Sequence, residues 1–242
     1  MRLKATIAYN GTKFYGFQRQ KTTGNTVAEH LERALASIGI KSKVYGSGRT
    51  DRGVHATGQV IHFDIPHFWQ KRPLQELKAH LNSKLEAIVI KHIKTVDKNF
   101  HAQYCAKIRI YRYIIKRQTP TIFEKEFVSH YKIGNREKFM QALQLYKGEH
   151  DFRYFKKEGS LTSTNIRCIK DIKVKELKSY TIIYLSANGY LRSQVRMMIE
   201  GALKAANNEL TLQELQEQVA CKRKHFTTLA KPHGLYLHRV IY

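Results

Sequence analysis

The chain has 242 residues, 42% of them hydrophobic, and a formal net charge of +24. That length allows one large domain or two of ordinary size, and the apolar content supports a packed core and excludes a disordered basic tail. Residues 1–105 carry 17 Lys and Arg against 7 Asp and Glu, and residues 106–242 carry 26 against 12. An excess spread over the whole fold points to a polyanionic partner, nucleic acid before a membrane surface, because no apolar run approaches the ~20 residues of a spanning helix.

Leu3, Ala5 and Ile7 alternate with polar residues and predict a first strand. The same stretch lacks the apolar core of a signal peptide, so the cytoplasm is the expected compartment. Tyr9 to Gln20 forms a glycine-rich, aromatic and basic loop. Thr26 and Glu29 have the spacing of a capping box, and Val27, Leu31, Ala34, Leu35 and Ile38 follow at helical spacing. Strands are expected near 43–46 and 57–64. Pro73 opens a second helix running to about Leu81, and residues 87–96 return as a strand.

A similar order recurs. Residues 106–117 predict a long strand rich in Ile, Tyr and basic residues. Asn135 caps a helix with Phe139, Ala142, Leu143 and Tyr146 on one face. Strands follow near 166–176 and 180–187, then an apolar helix over 191–206 that aligns Leu191, Val195, Met198, Ile199, Ala202 and Leu203. Thr211 with Glu214 caps a short helix, and 235–241 is the last strand. Each half reads as a β-α-β-β-α-β unit. The expected fold is α+β, with two ferredoxin-like (RRM-like) halves sharing a mostly antiparallel sheet and a basic cleft between them. Residues 1–105 form the N-terminal domain and 106–242 the C-terminal one.

Cys105, Cys168 and Cys221 are odd in number and far apart, which argues against a disulfide framework or a zinc knuckle. They read as buried small hydrophobes in a reducing compartment. The chain holds no H-E-x-x-H, no C-x-x-C and no phosphate-cradling G-x-x-x-x-G-K-[ST] loop. Neither a metal site nor nucleotide hydrolysis is therefore supported.

Three segments carry chemistry. Gly46 to Ala56 places Asp51 between Arg49 and Arg52 on a loop studded with glycine. Flanking cations favour an ionised carboxylate, and glycine permits a tight turn. That combination suits a nucleophile and equally a structural ion pair. Arg109, Tyr111 and Tyr113 fall on one face of a strand, as base-stacking sheets require and as ordinary cross-strand packing also does. In Asn188 to Arg196 a strand stops at glycine and a helix begins, with Arg192 and Arg196 one turn apart. Arg196 on an apolar helix either reaches solvent or pairs with a buried acid such as Asp51.

Together these segments resemble the tRNA pseudouridine synthase A family over nearly the whole chain. Tyr9 to Gln20 is similar to the opening Y-D-G-x-x-Y-x-G-[WF]-Q-x-Q. Gly48-Arg49-Thr50-Asp51 with Gly53-Val54-His55 matches the catalytic motif, and Thr57-Gly58-Gln59-Val60 with Phe63 its continuation. Phe100-His101-Ala102, Arg109-x-Tyr111-Arg112-Tyr113, Asn188 through Arg196 and Gly234-Leu235-Tyr236-Leu237 follow in family order. Asn10 stands where Asp is usual, Phe17 where Trp is common, Ser193-Gln194 where a His- or Met-containing pair is found, and Glu86 where Pro is usual. None of these removes a proposed catalytic group.

The resemblance implies that uridine is isomerised to pseudouridine at positions 38–40 of the tRNA anticodon stem-loop, by a cytoplasmic homodimer without a cofactor. It makes Asp51 the nucleophile, lays Tyr111 against the target base and pairs Arg196 with Asp51. Arg49 takes the place of the flipped nucleotide, and Thr50, His55, Gln59 and Arg109 join Arg49 and Tyr111 in contacting the substrate. The competing readings are a non-catalytic RNA-binding protein of two RRM-like domains, or a related synthase acting on other tRNA uridines.

Overall fold

The computed structural model describes residues 1–159 and 162–242. They form an α+β fold of two compact units, one of residues 1–107 with 236–242, the other of residues 108–235.

The first unit opens on β1 (Arg2–Tyr9), whose Leu3, Ala5 and Ile7 are fully buried while the residues between them are half-exposed. Helix α1 (Val27–Ala36) starts at Thr26, which accepts from the Glu29 amide and donates its hydroxyl to Glu29 Oε2 at 2.6 Å. The capping box is therefore half formed, with the carboxylate held by the hydroxyl. The Val27 and Ala28 amides donate instead to the carbonyls of Gly16 and Phe17, at 3.1 and 3.0 Å, which ties the glycine-rich loop to the helix start. β2 (Tyr45–Gly46) and β3 (His55–Asp64) follow, then a single turn, α2 (His67–Gln70), with Trp69 buried, then α3 (Leu74–Ser83) and β4 (Ile88–Thr95). The turn α2 was not expected, since four residues carry no readable period.

The second unit runs through β5 (Ile108–Lys116), β6 (Ser129–His130), α4 (Arg136–Gln144), β7 (Gly148–Asp151), β8 (Ile166–Glu176), β9 (Tyr180–Ala187), α5 (Gln194–Ala206) and α6 (Leu212–Val219). The extra short strands β6 and β7 replace the simple β-α-β-β-α-β order expected. Its strands align β5-β9-β8-β7, each neighbour antiparallel, with β6 parallel to β5. Helices α4 and α5 pack over a core that includes Phe139, Tyr146, Phe155 and Met198. Helix α6 carries the complete capping box expected of Thr211 and Glu214.

The chain closes on β10 (Leu235–Ile241). A division at 105/106 leaves this strand with the second half, yet from Tyr236 onward it belongs to the first unit. The reason is its parallel pairing with β3, Tyr236 opposite His55 and Leu237 opposite Ala56. The strands of the first unit thus lie in the order β4-β1-β3-β10, with β2 also on β3. The cysteines correct another expectation: Cys105 is exposed and Cys168 and Cys221 are half-buried. Two of them serve turns, Cys105 Sγ accepting from the His101 amide and Cys221 Sγ donating to the Asp151 carbonyl.

Gly201 in α5 marks the closest packing of the second unit. A Cβ there would lie 2.6 Å from the Phe226 ring and from Tyr146 Oη, which donates to the Met198 carbonyl at 3.0 Å. Gly201→Ala should gain about 1 kcal/mol of helix propensity and lose more to overpacking and to the displaced hydrogen bond. The expected net loss is about 1–2 kcal/mol, read as a lower urea midpoint. An unchanged or raised midpoint would show that the ring and hydroxyl have room to move.

Candidate functional site

The turn that presents Asp51 is built from backbone. The Val54 amide donates to the Asp51 carbonyl at 3.1 Å, and Gly53 takes φ +79°, a left-handed conformation that glycine adopts without strain. Behind it lies the loop that leaves β1. The Gly53 amide donates to the Gly11 carbonyl at 3.2 Å, and the Gly11 amide donates to His55 Nδ1 at 3.1 Å. A Cβ on Gly11 would sit 2.0 Å from the Val54 carbonyl oxygen. The Phe17 amide donates to the Thr50 carbonyl at 3.1 Å.

Side chains complete the brace. Buried Tyr9 Oη and Thr50 Oγ1 share a hydrogen bond of 2.8 Å, and burial raises the Tyr9 phenol well above its ordinary range, opposed by Thr50 and Gln59. It stays neutral and bonded at pH 7. Gln59 is fully buried, its Oε1 accepting from Ser47 Oγ and its Nε2 donating to the Gly48 carbonyl, both at 2.7 Å. The His55 ring stacks on Tyr236 at 4.6 Å and 19°. Thr50, His55 and Gln59, expected to touch substrate, are thus buried side chains bonded or stacked within the first unit. Asp51 itself is half-buried, and Arg49 and Arg52 are exposed, Arg52 lying 4.3 Å over the Tyr15 ring.

In the second unit Tyr111 and Tyr113 are both buried, and Tyr113 donates to the Lys231 carbonyl at 2.7 Å. Tyr113 is thus a packed side chain of the core. Tyr111 meets Tyr190 edge-on at 5.2 Å, and Tyr190 Oη is buried without a hydrogen-bond partner among the described residues. Burial, then Tyr111, raises the Tyr190 phenol far above its ordinary value. Arg109 Nη1 donates to the Asn188 carbonyl at 2.8 Å. Arg196 Nε donates to the Ala230 carbonyl at 2.7 Å, and the Ala230 amide returns a bond to the Arg196 carbonyl at 3.2 Å. Arg192 does not share its helix face. Ser193 adopts φ +60° and α5 starts only at Gln194, so Arg192 stands in the preceding turn, bonded to the Glu158 carbonyl at 3.0 Å. Sequence reasoning missed Tyr9 and Tyr190. A tyrosine beside a motif looks the same whether its hydroxyl is buried or wet.

Among the described residues no group of three His, Cys, Asp or Glu side chains is placed to hold a metal ion, and no helix is long and apolar enough to cross a membrane.

Known proteins resemble this chain along nearly its whole length. The family described as tRNA pseudouridine synthase matches residues 5–105 and 142–242. The tRNA pseudouridine synthase A of Helicobacter hepaticus is 42% identical over 243 residues, spanning 99% of this chain and 98% of that protein. That of Wolinella succinogenes is 38% identical over 239 residues, spanning 98% and 93%. A solved chain from a Cbf5-Nop10-Gar1 complex aligns with 83% of this chain and 45% of its own, at 12% identity and a TM-score of 0.36.

Gly11 is the most constrained point of the first cluster, because the atom facing it is backbone and cannot rotate away. Gly11→Ala should displace the Asp51 turn, costing at least about 2–3 kcal/mol of stability and most of the activity. Thermal unfolding and turnover check both. Wild-type values for the two would show that the loops separate without consequence.

Proposed function

The chain belongs to the tRNA pseudouridine synthase family and is an isomerase that makes pseudouridine from uridine in tRNA, and from that premise we propose that Asp51 is its nucleophile and that the anticodon arm, at positions 38–40, is its target. The observation that carries the assignment is the turn itself, a half-buried carboxylate on a backbone-braced, left-handed glycine turn with a cation on either side. Geometry held in advance is what lowers the entropic part of a barrier.

The reaction breaks the C1′–N1 glycosidic bond, turns the uracil and forms a C1′–C5 bond. The C5 proton leaves to solvent and N1 takes one up, so the isomer has the same composition and no oxidant or co-substrate enters. The base must first leave its stack, at a cost of a few kcal/mol. Phosphate contacts from the basic surface offset that cost. Arg49, exposed beside the turn, fills the vacated place in the stem. The ionised Asp51 carboxylate attacks the extruded nucleoside at C1′ or C6. Tyr111 lies against the base, stacking on it or taking the C5 proton. Arg196 pairs with Asp51, and its Nε bond to the Ala230 carbonyl holds the guanidinium in place. Arg109 holds the strand-to-helix turn from which that helix departs. The enzyme works as a cytoplasmic homodimer, and basic residues spread along both halves of the sequence support a tRNA that reaches across two subunits.

The test uses unmodified tRNA tritiated at uracil C5. Wild type should release label, and Asp51→Asn should release none while its tRNA affinity stays within about threefold, since one charge shifts binding little beside the many phosphate contacts. Label release by Asp51→Asn at the wild-type rate would remove Asp51 from the reaction.

A further inference from the structure

Aromatic side chains of the first unit stack into a column toward the far end of β3 from the Asp51 turn. Tyr45 lies over the His62 ring at 5.1 Å and 15°, His62 meets His101 edge-on at 4.6 Å, and His101 stacks on Tyr104 at 4.2 Å and 25°. His62 is seven residues beyond His55 in the same strand, about 23 Å away at ~3.3 Å per residue.

The column is held rigidly and ends in the open. His62 Nδ1 accepts from the Ala102 amide at 3.1 Å, and His101 Nδ1 accepts from the Gln103 and Tyr104 amides at 3.2 and 3.4 Å. Burial, then His101 and Arg2, pushes His62 down to about 4, and burial with Arg2 lowers His101. Both rings are uncharged at pH 7. Yet Tyr104 is 78% exposed and Tyr45 43%. A large ring fixed on a stiff support and left to water gains little for the fold, which burial would have served better. Beside it Lys4 Nζ lies 3.6 Å from the Tyr242 ring centroid and 5.0 Å from that of Phe100, with Lys94 opposite Lys4 in register. Burial and Lys94 both lower the Lys4 ammonium, a repulsion that an anion between them would relieve.

We propose that this column is a platform on which an unpaired base of the bound tRNA stacks, against the open face of Tyr104, with Lys4 and Lys94 beside the adjoining phosphates. The proposal rests on tRNA being the substrate and adds a contact site remote from the reacting uridine. Uncharged aromatic faces flanked by cations are the combination that binds single-stranded nucleotides without regard to sequence. A second copy of this chain is disfavoured as occupant, because it would bring the same lysines against these.

Tyr104 is exposed, so its replacement leaves the core intact. Tyr104→Trp places a fluorophore on the platform, and the chain's single native tryptophan, Trp69, is buried. Unmodified full-length tRNA should quench the Tyr104→Trp emission. Tyr104→Ala should raise Kd and KM for that tRNA about 5- to 100-fold, the loss of one base–aromatic stack, with KM rather than kcat carrying the defect, and Tyr104→Phe should restore both. Unquenched emission together with wild-type affinity of Tyr104→Ala would overturn the platform. So would a loss of self-association in Tyr104→Ala with no change in tRNA binding, which would assign the face to a second copy. The quenching needs no turnover. Label release by Asp51→Asn would thus remove the nucleophile and leave the platform standing.

Discussion

The loop that carries Asp51 depends on one close approach, the backbone of Gly11 against the Val54 carbonyl and the His55 amide. Any side chain at residue 11 would begin 2.0 Å from a carbonyl oxygen, well inside van der Waals contact. The hydrogen at that position lets the exit of β1 and the entry of β3 touch, and the two strands are already neighbours in the sheet. The turn carrying Asp51 is therefore an extension of sheet geometry. Its position follows from strand register, with a bulge between Ile7 and Tyr9 where the two chains begin to diverge. Each hydrogen bond that reinforces the approach contributes about 1 kcal/mol net, but leaving its buried donor unpaired costs more. The loops accordingly hold together or fail together.

That rigidity divides the labour between charged and uncharged groups. Arg49 and Arg52 stand exposed on either side of the turn, where long cationic side chains can meet phosphates without paying for burial. The groups that shape the turn, Tyr9, Thr50 and Gln59, are neutral and buried. Salt therefore weakens what the protein binds far more than it weakens the shape of the site, because screening acts on exposed charges and hardly on buried hydrogen bonds. A chain with a net charge of +24 needs such a separation, since a loop held by exposed ion pairs would loosen as RNA competed for its arginines.

Much of this was legible in the sequence where a period or a cap announced it. The alternation of Leu3, Ala5 and Ile7, the caps Thr26, Asn135 and Thr211, and the glycines around Asp51 are local signals, and the structure places each as local physics requires. What escaped was short or non-local. Strands of two and four residues, β6 and β7, have too few side chains to show alternation. The start of α5 moved from residue 191 to Gln194 because Ser193 is left-handed, a conformation serine does not advertise. The return of β10 to the first unit rests on pairing with residues some 180 positions earlier. Thr50, His55 and Gln59 sit inside a motif whose neighbours are exposed cations, and only burial reveals that they face inward.

Side-chain amides hold the turns of both units, and the choice has a physical reason. Asn10 Oδ1 accepts from the Thr12 amide, and Gln59 bridges Ser47 and Gly48. Asn188 Oδ1 accepts from the Cys168 amide, and fully buried Gln194 accepts from the Leu191 amide at 2.7 Å. Gln218 serves four backbone partners, donating to the carbonyls of Tyr154 and Phe226 and accepting from the amides of His225 and Phe226. An amide offers donor and acceptor at once, matches the backbone it braces and does not titrate. A carboxylate in the same place would bring a larger desolvation cost and, beside the Asp51 turn, a second negative charge. Neutral bracing therefore leaves Asp51 with cations, Arg49 and Arg52, as its nearest charged neighbours in the sequence.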